Sequence, residues 1–149
     1  MTASANSAPD PDLVSFVQLA NAFGLEQPLV LTLPGLVVEG TLIGAHTHFH
    51  ELASVVQGED PEGTLRSDLA ARFRQRETEY ADWGAGSKLG DLDPEGPQGE
   101  DLASMPELAH LHLRDARVVT PPSDRVLPLW RGRIADVVGW TVGDPSGGA

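Results

Sequence analysis

The stretch LVLTLPGLVVEGTLIG, Leu29 to Gly44, decides the fold. Two apolar runs, Pro28 to Leu33 and Leu36 to Gly44, flank the pair Pro34-Gly35, and a Pro-Gly pair between apolar runs marks a tight turn. The predicted unit is a β-hairpin. In its second arm Val37, Glu39, Thr41 and Ile43 share one face and Leu36, Val38 and Leu42 the other, because successive strand side chains alternate. Gly40 interrupts this arm, and a mid-strand glycine signals a sharp bend or the close packing of another backbone.

Toward the N-terminus, DPDLVSFVQLANAFG predicts a helix with Asp10 as cap, Pro11 at the first helical position and Gly24 at the end. Leu13, Phe16, Val17, Ala20 and Phe23 follow helical spacing. On the C-terminal side of the hairpin the period changes at His46, with Phe49, Leu52, Ala53 and Val56 on one helical face and Thr47 placed to cap. A further helix is predicted from Thr64 to Trp83, with Leu65, Leu69, Phe73 and Tyr80 inward and Arg66, Arg72, Arg74 and Arg76 mostly outward. The span GAGSKLGDLDPEGPQGEDLASMPE is rich in Gly, Pro and acid without a period, the signature of a flexible loop.

Order returns at LAHLHLRDARVVT, Leu108 to Thr120, a predicted strand with Leu111 and Leu113 on one face and His110, His112 and Ala116 on the other. After the turn TPPSD, two short strands are predicted, Leu127 to Arg133 and Ile134 to Val142, with a bend near Gly132. Trp130 and Trp140 fall where a barrel core would take them. The chain is expected to be one domain: tail 1–10, helix plus hairpin 11–45, helical insertion 46–83, acidic flexible loop 84–107, C-terminal strands 108–143 and tail 144–149.

This order resembles the Sm-like small barrel. LVLTLPGLVVEGTLIG looks like its first motif, LHLRDARVV sits where its third strand would be, and LWRGRI resembles the arginine-glycine signature of its second motif. The expected fold is α+β: a strongly bent, five-stranded Sm-like β-barrel with an N-terminal helix and an insertion between strands two and three. Sm-like proteins often read a base with an Asp-x-aromatic-x-Asn loop after the second strand. His46-Thr47-His48-Phe49-His50 has that spacing without those residues. Histidine can stack on bases, yet the net charge of −12 disfavours phosphate backbones.

The same HxHxH raises a metal site, since AHTHF resembles the phrase PGLVDAHTHF of the amidohydrolase superfamily. That superfamily builds on a barrel of typically about 250 residues; this chain has 149. Val38 to Ala45 also separate Pro34-Gly35-Leu36 from His46, where the hydrolase phrase is continuous. On a strand His46, His48 and His50 would share a face, whereas on a helix only His46 and His50 would. Pairing of strands two and three would bring His110 and His112 near them. Zinc through imidazole usually needs a supporting carboxylate for catalysis, and Glu51 is the one neighbour in sequence. The alternative is five polar residues at a strand end and helix start. No phosphate loop, nucleophile elbow, zinc spacing or acid pair appears, so no catalytic or cofactor-binding residues are assigned.

Composition bounds the remaining choices. The chain has no cysteine, no apolar run near the ~20 residues of a membrane span, and no basic-then-apolar leader, which together predict a soluble cytoplasmic protein without membrane partners. Charge is uneven: Gly58 to Leu108 holds 13 acids and 5 bases, and Ala109 to Ala149 holds 4 acids and 5 bases.

The whole pattern resembles the gas vesicle accessory protein U (GvpU-like) family. Asn21, Gly24 and Leu25 match its Asn-x-x-Gly-Leu-like helix end, and the Leu29 to Gly44 hairpin its GLLISGTLIS-like phrase. His112 to Arg117 match its IHLKDAK strand, and Trp130-Arg131-Gly132 its WRGKLSSVDGFSFG-like end. The resemblance covers the ordered ends and leaves Thr64 to Pro106 and HxHxH unassigned. It implies a non-enzymatic accessory protein without cofactor, acting by homo-oligomeric self-association and contact with the gas vesicle shell or other gas vesicle proteins. An Sm-like RNA binder and a histidine-based metal protein remain the alternatives.

Overall fold

The computed structural model describes residues 9–85 and 109–143. Helix α1, Pro11–Phe23, starts and stops where its sequence predicts. Asp10 Oδ1 accepts from the backbone N–H groups of Asp12 at 2.8 Å and Leu13 at 3.1 Å, satisfying two donors that a helix leaves open. Gly24 ends the helix at φ 74°, a conformation that costs a residue without Cβ nothing, and its N–H donates to the Ala20 carbonyl at 3.1 Å.

Strands β1, Gln27–Leu33, and β2, Leu36–Ile43, form the predicted hairpin around Gly35. Helices α2, Ala45–Gln57, and α3, Leu65–Ala85, follow as an antiparallel pair. Strands β3, His110–Thr120, β4, Val126–Arg133, and β5, Gly139–Val142, complete one sheet in the order β4-β3-β2-β1-β5, with every neighbouring pair antiparallel.

One face of the sheet is covered by α1. Leu13, Val17 and Ala20 bury themselves against Leu29, Leu31, Val38, Leu42, Leu111 and Leu113. Gly40 has the role expected of it. Its register partners jump from Arg114 opposite Thr41 to Arg117 opposite Glu39, so β3 carries an extra residue where β2 has the glycine. A Cβ on Gly40 would stand 3.1 Å from both Ala116 Cα and Leu113 Cβ. Asp115 takes the left-handed conformation in this bulge, φ 53°, which aspartate tolerates better than most residues.

Several expectations are corrected. The expected strongly bent barrel is an open sheet, because β4 and β5 occupy opposite edges and no ladder joins them. β5 has four residues, all of them spent on β1. The strand expected over Ile134 to Val142 begins only at Gly139; Ile134–Asp136 is a 3-10 turn that sinks Ile134 into the α1 core. Ala116 does not share a face with His110 and His112, because the bulge shifts the alternation by one and returns Ala116 to the Leu111 and Leu113 side. Trp130 and Trp140 are partly buried at the margin of the core, Trp140 edge-on to Phe16 at 5.4 Å.

The helical insertion also differs in detail. Thr47 does not cap α2; the N-cap is Gly44, and Asn21 Oδ1 of α1 accepts from Ala45 N at 2.8 Å. Leu65 and Leu69 are exposed, and α3 turns inward through Ser67, Ala70, Phe73 and Tyr80. Arg76 is half-buried rather than outward, because its guanidinium covers the Phe49 ring at 4.8 Å. The acidic loop expected over 84–107 lies, from residue 86 onward, outside the described residues.

Candidate functional site

The second face of the sheet carries polar chemistry. Register places Ile43, His112 and Arg131 in one row across β2, β3 and β4. Helix α2 lies over this row. Its residue His48 packs on His112 with ring centroids 4.3 Å apart and planes tilted by 34°. Both rings are buried, at 2% and 1% exposure, a depth at which histidine is seldom found without partners. Phe49 closes the seam, edge-on to His112 at 5.8 Å and stacked on Tyr80 of α3 at 5.6 Å. The Arg131 guanidinium stands 5.7 Å from the same Phe49 ring.

Neither nitrogen of His48 nor Nε2 of His112 has a hydrogen-bond partner. Burial pushes the His48 imidazole down to about 4, with the nearby Arg131 charge adding to the effect. His112 is pushed further down, first by burial, then by the fields of His48, Arg131, His110 and Arg76. Both rings are neutral at pH 7.

A second tie runs beside the pair. Arg114, two residues after His112, faces α2, and its Nη2 lies 3.0 Å from Glu51 Oε1 while its Nη1 lies 3.1 Å from Glu26 Oε1. These bonds raise the guanidinium pKa above its ordinary value, the hydrogen bond to Glu51 most. Arg114 and Glu51 also border an open groove of about 440 Å³ between α2 and the β3–β4 ribbon, lined with Val55, Pro128 and Leu129 among others.

The five histidines singled out by sequence therefore separate. A helical HxHxH turns His48 to the sheet and the other two away. His46 keeps Nδ1 buried and sets Nε2 3.4 Å from Thr47 Oγ1, and His50 is exposed with Nδ1 3.2 Å from both Glu77 oxygens. His110 lies at the start of β3, opposite Arg133. Strand pairing brings His112 to His48 as expected, but among the described residues no group of three or more His, Asp or Glu is arranged to hold a metal ion. Arg131 and Arg76 beside the pair oppose a cation there. His48 and Phe49, both 2% exposed, offer no face for a nucleic-acid base to stack on.

Sequence alone missed Asn21, Glu26, Arg76 and Arg114 as structural contacts. Asn21 had one signal: a helix preceded by Gly44, with no capping side chain of its own, needs a cap from elsewhere. Arg114 had none, because Glu26 and Glu51 are distant along the chain, and the cover of the Phe49 ring by Arg76 had none either. A family model described as gas vesicle protein GvpU-like matches residues 10–145. Comparison with curated proteins gives no match, and comparison with solved structures gives none.

Proposed function

Because the chain belongs to the GvpU-like gas vesicle protein family, we propose that it is a non-enzymatic accessory protein of the cytoplasm that associates with copies of itself and contacts the vesicle shell or other gas vesicle proteins. The observation that supports self-association is the open sheet, whose outer strands β4 and β5 leave backbone donors and acceptors at two edges. The edges are unequal. β4 contains Pro128, which removes a donor, and the exposed Arg131 and Arg133, whereas β5 has no charge, ends in the exposed Val142 and follows the exposed Val138. No described helix is long and apolar enough to cross a membrane.

Light scattering on a size-exclusion peak tests association: assemblies larger than the 15.8 kDa chain are expected. A monodisperse monomer at micromolar concentration would remove the self-association reading. Val138→Lys with Val142→Lys is expected to reduce assembly by charging the less guarded edge. Salt is expected to promote association, because the span Gly58 to Leu108 carries most of the acid excess and screening shortens its reach from about 10 Å at 0.1 M to about 3 Å at 1 M.

The vesicle role has its own test. In a vesicle-forming cell, deletion is expected to leave intact vesicles that cluster differently, and neutralising Asp91, Asp93, Glu95, Glu100 and Asp101, which lie outside the described residues, is expected to increase clustering. Electron micrographs with unchanged vesicle number and arrangement in both strains would remove it. Elemental analysis of the purified protein is expected to find no stoichiometric metal; one zinc per chain, lost on His46→Ala with His48→Ala, would revive the metal reading.

A further inference from the structure

The α2–α3 hairpin rests on the sheet through one seam and touches α1 with both of its helices. Its two helices pack mainly on each other, and the polar part of the seam to the sheet includes the His48–His112 stack, Phe49 against His112 and Arg131, and the Glu51–Arg114 ion pair. The Asn21–Ala45 hydrogen bond tethers the hairpin at its start. We infer that the stacked pair His48–His112 is an acid-sensitive latch, holding the α2–α3 hairpin on the β2–β3–β4 face when both rings are neutral and releasing it when they take up protons.

Three features of the seam support this. Two imidazolium ions with centroids 4.3 Å apart would repel inside a site that excludes water. Burial and the positive fields of Arg131 and Arg76 favour neutrality, and the polar groups around the pair are His46 and Glu51 from α2, Arg76, Glu77 and Tyr80 from α3, His110 and Arg114 from β3, and Arg131 from β4. The two carboxylates in this set are engaged elsewhere, Glu51 with Arg114 and Glu77 with His50. Neither supplies a hydrogen bond to His48 or to His112 Nε2. Finally, the apolar core between α1 and the opposite face is built of aliphatic side chains that do not titrate, so acid acts on the histidine seam and not on that core.

Release is therefore local. Undocked, each histidine regains its ordinary proton affinity, while docked it stays neutral until well below that pH. The opening equilibrium then rises roughly 15-fold per histidine between pH 6.5 and pH 5. Opening uncovers Ile43 and His112, which are otherwise 1% exposed, and presents a fresh sheet face to any partner.

Hydrogen exchange of the full-length protein, with labelling times scaled for intrinsic rates, tests this at about pH 7 and about pH 5. Protection of Ala45 to Ala85 is expected to fall by at least tenfold on acidification while Gln27 to Ile43 keeps its protection. In His48→Phe/His112→Leu the hairpin is expected to lose this pH response. Should that variant not fold, each single variant is expected to keep one histidine's share of it. Equal loss across hairpin and sheet, or no loss in either, would overturn the latch. A response that survives in the histidine variants and disappears in Glu51→Gln would also overturn it, assigning the effect to the Arg114 ion pair.

Discussion

Where α1 meets the sheet, Leu13, Val17 and Ala20 press on leucines and a valine. Where α2 meets the other face, His48, Phe49 and Glu51 sit on His112, Arg131 and Arg114. The first seam is held by removal of apolar surface from water, which does not depend on pH. The second depends on protonation states, because it buries imidazoles that must stay neutral and pairs charges that must stay ionised. One sheet thus has a permanent cover and a conditional one.

The largest effect is expected at the permanent seam. Leu31→Ala empties a site that is fully buried in the α1 core and is expected to cost about 3 kcal/mol in urea unfolding. A loss confined to the α2–α3 hairpin would show that the two seams are not independent. Next comes acidification. His48 has a folded pKa of about 4 against 6.5 unfolded, so above 6.5 the two states bind protons alike and stability is complete. Below it the unfolded chain takes up a proton that the fold refuses, and stability falls by roughly 2 kcal/mol for this group by pH 5. His112, shifted in the same direction, adds to the loss. Stability that stayed level between neutrality and pH 5 would contradict the burial of both rings.

A smaller loss is expected at the tether between the two seams. Asn21→Ala leaves the buried Ala45 N–H without its acceptor and is expected to cost about 1–2 kcal/mol by the same measurement. Asn21→Asp, which keeps an acceptor, is expected to recover most of it. The smallest effect belongs to Arg117 and Glu39 on the exposed strand surface, where Nε lies 3.1 Å from Oε1. Both side chains are well exposed, so a double-mutant cycle is expected to give no more than about 0.5 kcal/mol. A larger coupling would mean that this sheet surface is covered in solution.

Legibility followed the range of the interaction. The Asp10 cap, the Gly24 stop, the hairpin around Gly35 and the apolar stripe of α2 were readable because each depends on residues within a few positions of one another. The inward face of α3 is legible at Phe73 and Tyr80, which pack on Phe49, but not at its start, where Leu65 and Leu69 suit a helix interior by type and yet Ser67 and Ala70 are the buried positions. The histidines were flagged for metal chemistry by spacing alone. Their partition, with His48 inward and His46 and His50 away, depends on α2 being a helix and on the face it presents.

By itself the sequence determined the order of helix, hairpin, helical insertion and three further strands, together with the family, because hydrophobic period, caps and turn residues act locally. Only the tertiary structure decided that the sheet stays open and that Asn21 caps a helix 24 residues away. It also decided that Asp115 shifts the phase of β3 and that His48 meets His112. Each of these depends on strand register and on the placing of one helix over a sheet, which are set by the packing of distant segments rather than by any neighbouring residue.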